Sequence, residues 1–349
     1  MSWVNRSRLV LSATILLFVA ALVCVSVLPL SCDDTTDNPL PDDAAKTLST
    51  VRRVDDYPLY VMRYYGDYGF DGYLRAGDSG EAGVRHERDV PSWGCTTFTA
   101  LHEDGEYVLG RNFDWSNHMA LLLYTDPPGG YASVSMVDLS YLDFVPGDTS
   151  DSNMRQLLRA PHRPFDGMNE KGVAVGMMAV PHAEGGNDPE KTTIGSLSAI
   201  RLVLDRADDV EEAVSLLARH NIDFAGGPPV HYLVSDANGR SVVIEFIANE
   251  MQVIPCDSSW QVATNFIITG YTWDGDPSAC WRYNRAYNTL RAKNGIINRN
   301  EARELLESVS QSNTMWSVVY GGMGGTISVV VGRDYATVHD FTMEELKSP

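Results

Sequence analysis

Basic charge is the first thing this chain lacks. Against 46 Asp and Glu it carries only 27 Lys and Arg, a net charge of −19. Little is available to neutralise a phosphate backbone, and nucleic acid is excluded as a partner. The acidity itself implies a solvated surface and nothing narrower. No phosphate-binding loop is present: the glycine-dense "GGMGGT" at 321–326 fits no such pattern and reads as a flexible turn. His and Cys do not fall at metal-ligand spacings, so no metal and no cofactor is expected. No segment repeats at a solenoid period. Cysteine is also scarce, at five in 349 residues.

The first 32 residues carry a different signal. Arg6 and Arg8 precede an uncharged run, "LVLSATILLFVAALVCVSVLPLS", and then comes the acidic "CDDTTDNPLPDD". A positive start followed by an apolar core is the pattern of export. Cys32 follows "LPLS", which resembles a bacterial lipobox with proline where leucine is typical. The run is also long enough to span a bilayer. A cleaved signal peptide, a lipid anchor at Cys32 and a retained membrane anchor therefore stand as three readings of residues 1–32. Each leads to an exported protein, attached to a membrane through its N-terminus or released. Residues 33–55 read as an acidic linker.

From Tyr57 to Tyr73, "YPLYVMRYYGDYGFDGY" is too aromatic to float free and is expected to pack on the body. Two β-prone runs, "CTTFTALHE" and "YVLGRNFDW", flank "DG" and predict a hairpin. "GVAVGMMAV" reads as a buried strand, and "HYLVSDANGRSVVIEFI" as strand, turn and strand. "MQVIPC" and "WQVATNFI" continue the strand pattern. Apolar residues at helical spacing predict one helix over 198–220 and another over "NRNEARELLESVSQ". Strands grouped before and after paired helices point to α+β layers, not alternating βαβ units.

In an exported protein Cys256 and Cys280 are candidates for a disulfide. Cys95 is then the odd thiol. A lone cysteine in a β-prone run is ordinarily a small buried hydrophobe, but its neighbours argue for more. Gly94 leaves the preceding peptide bond open to attack. The hairpin would return Arg111 and Asp114 beside the sulfur, where an arginine favours the reactive thiolate. A thiol nucleophile ordinarily has a histidine base. None of the eight histidines stands in a context that singles it out, and the papain-type signature is absent. The α-amino group of Cys95 itself is an alternative base, with a pKa of about 7.7–8, if the chain is cut between Gly94 and Cys95.

With Cys95 followed by "GRNFDW", the chain resembles the choloylglycine hydrolase and penicillin V acylase group. These belong to the N-terminal nucleophile linear-amide hydrolases, alongside the acyl-CoA:6-aminopenicillanic acid acyltransferases. The likeness continues in order through "FDGMNEKGVAVGMMAVP", "DVEEAVSLL", "HYLVSDANGRSVVIEF", "VATN", "RYNRAY" and "TMWSVVY". It implies a four-layered αββα sandwich. It also implies Cys95 as nucleophile, Arg111 and Asp114 ordering its thiol and amine, Asn265 as oxyanion donor, and Arg282 near the nucleophile. Bile salt hydrolases carry an asparagine where this chain has Ala179, so an oxyanion donor there would be the backbone N–H.

The expectation is an exported amidohydrolase that cleaves itself at Gly94–Cys95 and then hydrolyses small N-acyl amides. Residues 56–94 would be a propeptide, released or retained, and 95–349 the catalytic domain. Two other readings remain open. Acyl transfer to an amine would use the same residues, and a decayed site would leave an exported binding protein.

Overall fold

The computed structural model describes residues 40–77, 94–115, 119–270, 280–322 and 324–348. The export segment 1–32, residues 33–39 of the expected linker and 78–93 of the expected propeptide lie outside the described residues. Two antiparallel-dominated sheets organise the chain. The larger has nine strands, in spatial order Arg52–Asp55, Leu59–Arg63, Ala120–Thr125, Ser133–Asp138, Pro164–Asn169, Ala174–Ala179, Val230–Ser235, Ser241–Ile247 and Glu250–Pro255. The smaller has six, in the order Gln261–Ala263, Gly94–Leu101, Tyr107–Asp114, Thr314–Gly321, Thr326–Val331 and His339–Thr342.

Each sheet has one face on the other sheet and one under helices. Helices Ser196–Arg206 and Val210–Ala218 cover the larger sheet, while Trp281–Ala292 and Arg299–Ser308 cover the smaller. With both faces covered, the inner strands are buried almost end to end: all six residues of Val230–Ser235 and all eight of Thr314–Gly321 are buried. That is why "GVAVGMMAV" and "TISVVVGRD" read as continuous apolar runs rather than alternating ones. The result is the expected αββα sandwich.

Three expectations are corrected. The helix read over 198–220 is two helices. Ala207 is extended, and the Asp209 side chain accepts from Glu212 N at 2.8 Å, capping a new start. His220–Asp223 then forms a strand parallel to Thr192–Gly195. The linker at 33–55 is structured from residue 42 onward, as helix Asp42–Ser49 and strand Arg52–Asp55. Its polar composition hides an inward face, because Thr47 Oγ1 accepts from Tyr65 N at 2.9 Å and Thr50 Oγ1 from Arg63 N at 3.0 Å. Cys256 and Cys280 are free thiols. Cys256 directs its sulfur to the Trp260 carbonyl at 2.9 Å, closing a local turn.

The segment expected as propeptide joins the sheet. Leu59–Arg63 pairs in parallel with Ala120–Thr125, and Tyr68 donates to both oxygens of the buried Asp205 at 2.7 Å.

Candidate active site

The expected hairpin sets the site. Gly94–Leu101 and Tyr107–Asp114 pair antiparallel around Gly105, whose φ of +92° lies in the region that favours glycine. The register puts Gly94 opposite Asp114, Cys95 opposite Phe113 and Thr97 opposite Arg111. Side chains two apart share a face, so Cys95 and Thr97 face the larger sheet together with Arg111. Gly176 on that sheet leaves them room: a Cβ there would lie 3.0 Å from Arg111 Cδ.

Arg111 is fully buried, with Nη2 3.7 Å from Cys95 Sγ. Its remaining N–H groups are committed elsewhere. Nη2 and Nε donate to the Met177 carbonyl at 2.7 and 3.3 Å, and Nη1 pairs with Asp166. Asp166 is itself fully buried and accepts from the Trp316 indole at 3.2 Å and from the Tyr320 hydroxyl. Burial pushes its carboxyl pKa up, and the three convergent donors oppose that shift without reversing it. The guanidinium is thus pinned with one edge at the sulfur.

Asp114, at the hairpin's end, accepts from the Thr314 hydroxyl and from Gln311 Nε2 at 2.6 Å. Gly94 packs directly on this pair. A Cβ on it would sit 1.7 Å from Gln311 Nε2 and 2.7 Å from Asp114 Oδ2. Asn265 lies just past the short strand Gln261–Ala263. Its Oδ1 accepts from Cys95 N at 2.6 Å and from Arg282 Nη2 at 2.9 Å, and its Nδ2 donates to the Ala179 carbonyl at 2.7 Å. Arg282, in the first turn of the helix Trp281–Ala292, donates through Nη1 to the Cys95 carbonyl and, at 3.1 Å, to Thr96 Oγ1. It clamps the backbone of Cys95, not its sulfur.

Burial pushes the Cys95 thiol pKa up. Arg111 opposes the shift without reversing it. A buried, neutral thiol needs a base before it can act as a nucleophile. Burial also raises the Asp114 carboxyl above the usual carboxylate range, despite donations from Thr314 and Gln311. Among the described residues, no group of three or more His, Cys, Asp or Glu is placed to hold a metal.

All the residues singled out in the sequence (Gly94, Cys95, Arg111, Asp114, Ala179, Asn265 and Arg282) meet in this one place. Asp166, Gln311 and Thr314 were not anticipated. A lone carboxylate inside "PFDGM", with apolar residues and glycine on either side, is a readable signal for Asp166. Gln311 and Thr314 gave none, since they reach Asp114 only through tertiary folding.

With that geometry in place, the chain belongs to the linear amide C–N hydrolases, choloylglycine hydrolase family. The family's sequence profile matches residues 95–274 and begins at Cys95 itself. Two solved structures share the fold, each with a TM-score of 0.50 over 72% of this chain. One is a mutant of the conjugated bile acid hydrolase from Clostridium perfringens, 16% identical and covered over 93% of its length. The other is penicillin V acylase from Agrobacterium tumefaciens, 20% identical and covered over 87%. The fold is therefore that of the N-terminal nucleophile hydrolases. An uncharacterized protein of Paramecium bursaria Chlorella virus 1 is 23% identical over 163 residues, a match spanning 44% of this chain and 50% of that one.

Proposed function

We propose that the protein is an exported cysteine amidohydrolase that matures by cutting Gly94–Cys95 and then hydrolyses linear amides of small N-acyl compounds. The observation that carries this reading is the surroundings of one residue. The sulfur of Cys95 lies 3.7 Å from Arg111, its nitrogen 2.6 Å from Asn265, and the carboxylate of Asp114 lies against the residue before it. No histidine hydrogen bond reaches this thiol among the described contacts, so the base is the nitrogen of Cys95 itself.

In maturation the Cys95 sulfur bonds to the Gly94 carbonyl carbon, and the Gly94–Cys95 C–N bond breaks. The thiol proton passes to the departing nitrogen. Water then hydrolyses the thioester, leaving a Gly94 carboxylate and a Cys95 that bears both thiol and free α-amine. In turnover the amine takes the thiol proton, and the thiolate attacks the substrate's amide carbon. Asn265 Nδ2 has two N–H groups, one of which serves the Ala179 carbonyl; the other is the donor for the oxyanion. Within a strand a residue's N–H lies on the same edge as its C=O, so the Ala179 N–H is a second donor. The amine returns its proton to the leaving nitrogen, and water releases the acyl group. Losing one such donor commonly costs ~10²–10³ in rate.

The names of the two fold relatives, a conjugated bile acid hydrolase and a penicillin V acylase, support the N-acyl amide class. Export rests on the composition of residues 1–32; among the described residues no helix is long and apolar enough to cross a membrane. The N-terminal segment stays bound after cleavage, because Arg52–Asp55 and Leu59–Arg63 are strands of the larger sheet. Intact-mass analysis tests the proposal. A fragment beginning at Cys95, lost in Cys95→Ala together with penicillin V hydrolysis, is the expected result. An uncut and active wild type would overturn it.

A further inference from the structure

The block "HYLVSDANGRSVVIEF" contributes no residue to the chemistry above, yet two of its members meet behind the site. Tyr232 points to the helical layer, where its hydroxyl donates to the Ser196 carbonyl at 2.8 Å. Its neighbour His231 therefore points into the space between the sheets. There Nδ1 lies 3.0 Å from Glu245 Oε1 on the adjacent strand, and both residues are fully buried. The other ring nitrogen, Nε2, lies 2.7 Å from the Thr264 carbonyl. Both ring nitrogens thus face acceptor oxygens. Glu245 reaches the same loop further on, where Oε1 accepts from Ile268 N at 2.6 Å and Oε2 from Thr269 N at 2.8 Å.

Those contacts replace something the loop lacks. Strand pairing ends at Ala263, opposite Thr97, and Asn265 follows two residues later. No sheet ladder fixes its backbone. The Thr264 carbonyl and the amides of Ile268 and Thr269 instead bond to side chains of the larger sheet. Asn265 is thus held between a grip one residue before it and a second grip three and four residues after. Burial draws the Glu245 carboxyl upward in pKa, but donations from His231 and the two amides outweigh it and hold it at about 2. The Glu245 carboxylate therefore stays ionised at neutral pH.

We infer that His231 and Glu245 are positioning residues that set Asn265 at its distance from the Cys95 nitrogen and from the developing oxyanion. This rests on the proposed role of Asn265. A purely architectural pair would stabilise the loop without acting through that side chain.

A double-mutant cycle on the full chain separates the cases, with p-nitrophenyl acetate and penicillin V as probes. Asn265→Ala is expected to lower kcat by about 10²–10³-fold. Glu245→Gln keeps the shape and should lower kcat by about 10- to 100-fold, as a displaced catalytic group does, with KM nearly unchanged. The double variant should be no slower than Asn265→Ala alone, because both changes act on one element. Thr269→Pro removes the amide and hydroxyl donors of one residue on the exposed side of the loop. It should give a smaller loss in the same direction, and it serves as the comparison if Glu245→Gln does not fold. Effects that multiply in the double variant, or a Glu245→Gln with wild-type kcat, would overturn the inference alone. An Asn265→Ala as fast as the wild type would overturn the site reading beneath it.

Discussion

Replacing Gly94 by alanine adds one methyl group at the bond proposed to break. The added Cβ would fall 1.7 Å from Gln311 Nε2 and 2.7 Å from Asp114 Oδ2, distances that no real contact tolerates. Gln311 is the flexible partner and would swing away, which strips Asp114 of its 2.6 Å donor. A hydrogen bond to a charged group contributes about 1.5–3 kcal/mol, equivalent to about 10- to 150-fold in rate. Self-cleavage of Gly94→Ala should therefore slow by that factor, read as the fraction cut against time by intact mass. The enzyme it eventually yields should turn over at the wild-type rate, because residue 94 has left the chain's new N-terminus and Gln311 can return. Gln311→Ala, in contrast, should impair both steps, and adding Gly94→Ala to it should slow cleavage little further. Wild-type cleavage kinetics in Gly94→Ala would refute the packing argument.

Other expectations follow from the same contacts. Asp166 neutralises Arg111 at the sulfur, so Asp166→Asn should shift the pH midpoint of Cys95 alkylation by iodoacetamide downward, whereas Arg111→Ala should shift it upward; equal midpoints would contradict the pairing. Asp114 can hold an ammonium only as a carboxylate, and burial raises its pKa. Activity should consequently fall as pH drops through a value above the usual carboxylate range, and a limb within that range would contradict the buried site. After cleavage the N-terminal fragment should co-elute with the catalytic fragment in gel filtration. Tyr68→Phe, which removes a donor from buried Asp205, should destabilise that complex by about 1–3 kcal/mol in thermal melts.

The hairpin was legible because its signals are local: "DG" marks the turn, and alternation brings Arg111 and Asp114 back to Cys95. Asn265 and Arg282 carried no local signal; without the family likeness they read as a turn residue and a surface charge. Asp166, Gln311, His231 and Glu245 gained their meaning only from partners far along the chain. Glu245, for example, bonds an amide 24 residues on, and Gln311 a carboxylate 197 residues back. The sequence hides the helix break at Ala207, because the apolar period runs through it while the Asp209 cap overrides it. Polarity alone makes this stretch look like a linker, yet its eight-residue helix is held by Thr47 and, at its C-cap, Thr50, which accept from the amides of Tyr65 and Arg63.

The central claim is that the thiol of Cys95 is deprotonated by its own α-amine. 2-Cyanobenzothiazole condenses only where a thiol and a free amine share one residue, and so reports that arrangement directly. The account predicts labelling of the Cys95 fragment in proportion to the fraction cut, with activity lost in parallel. An active protein that stays continuous across Gly94–Cys95 and takes no label would contradict it.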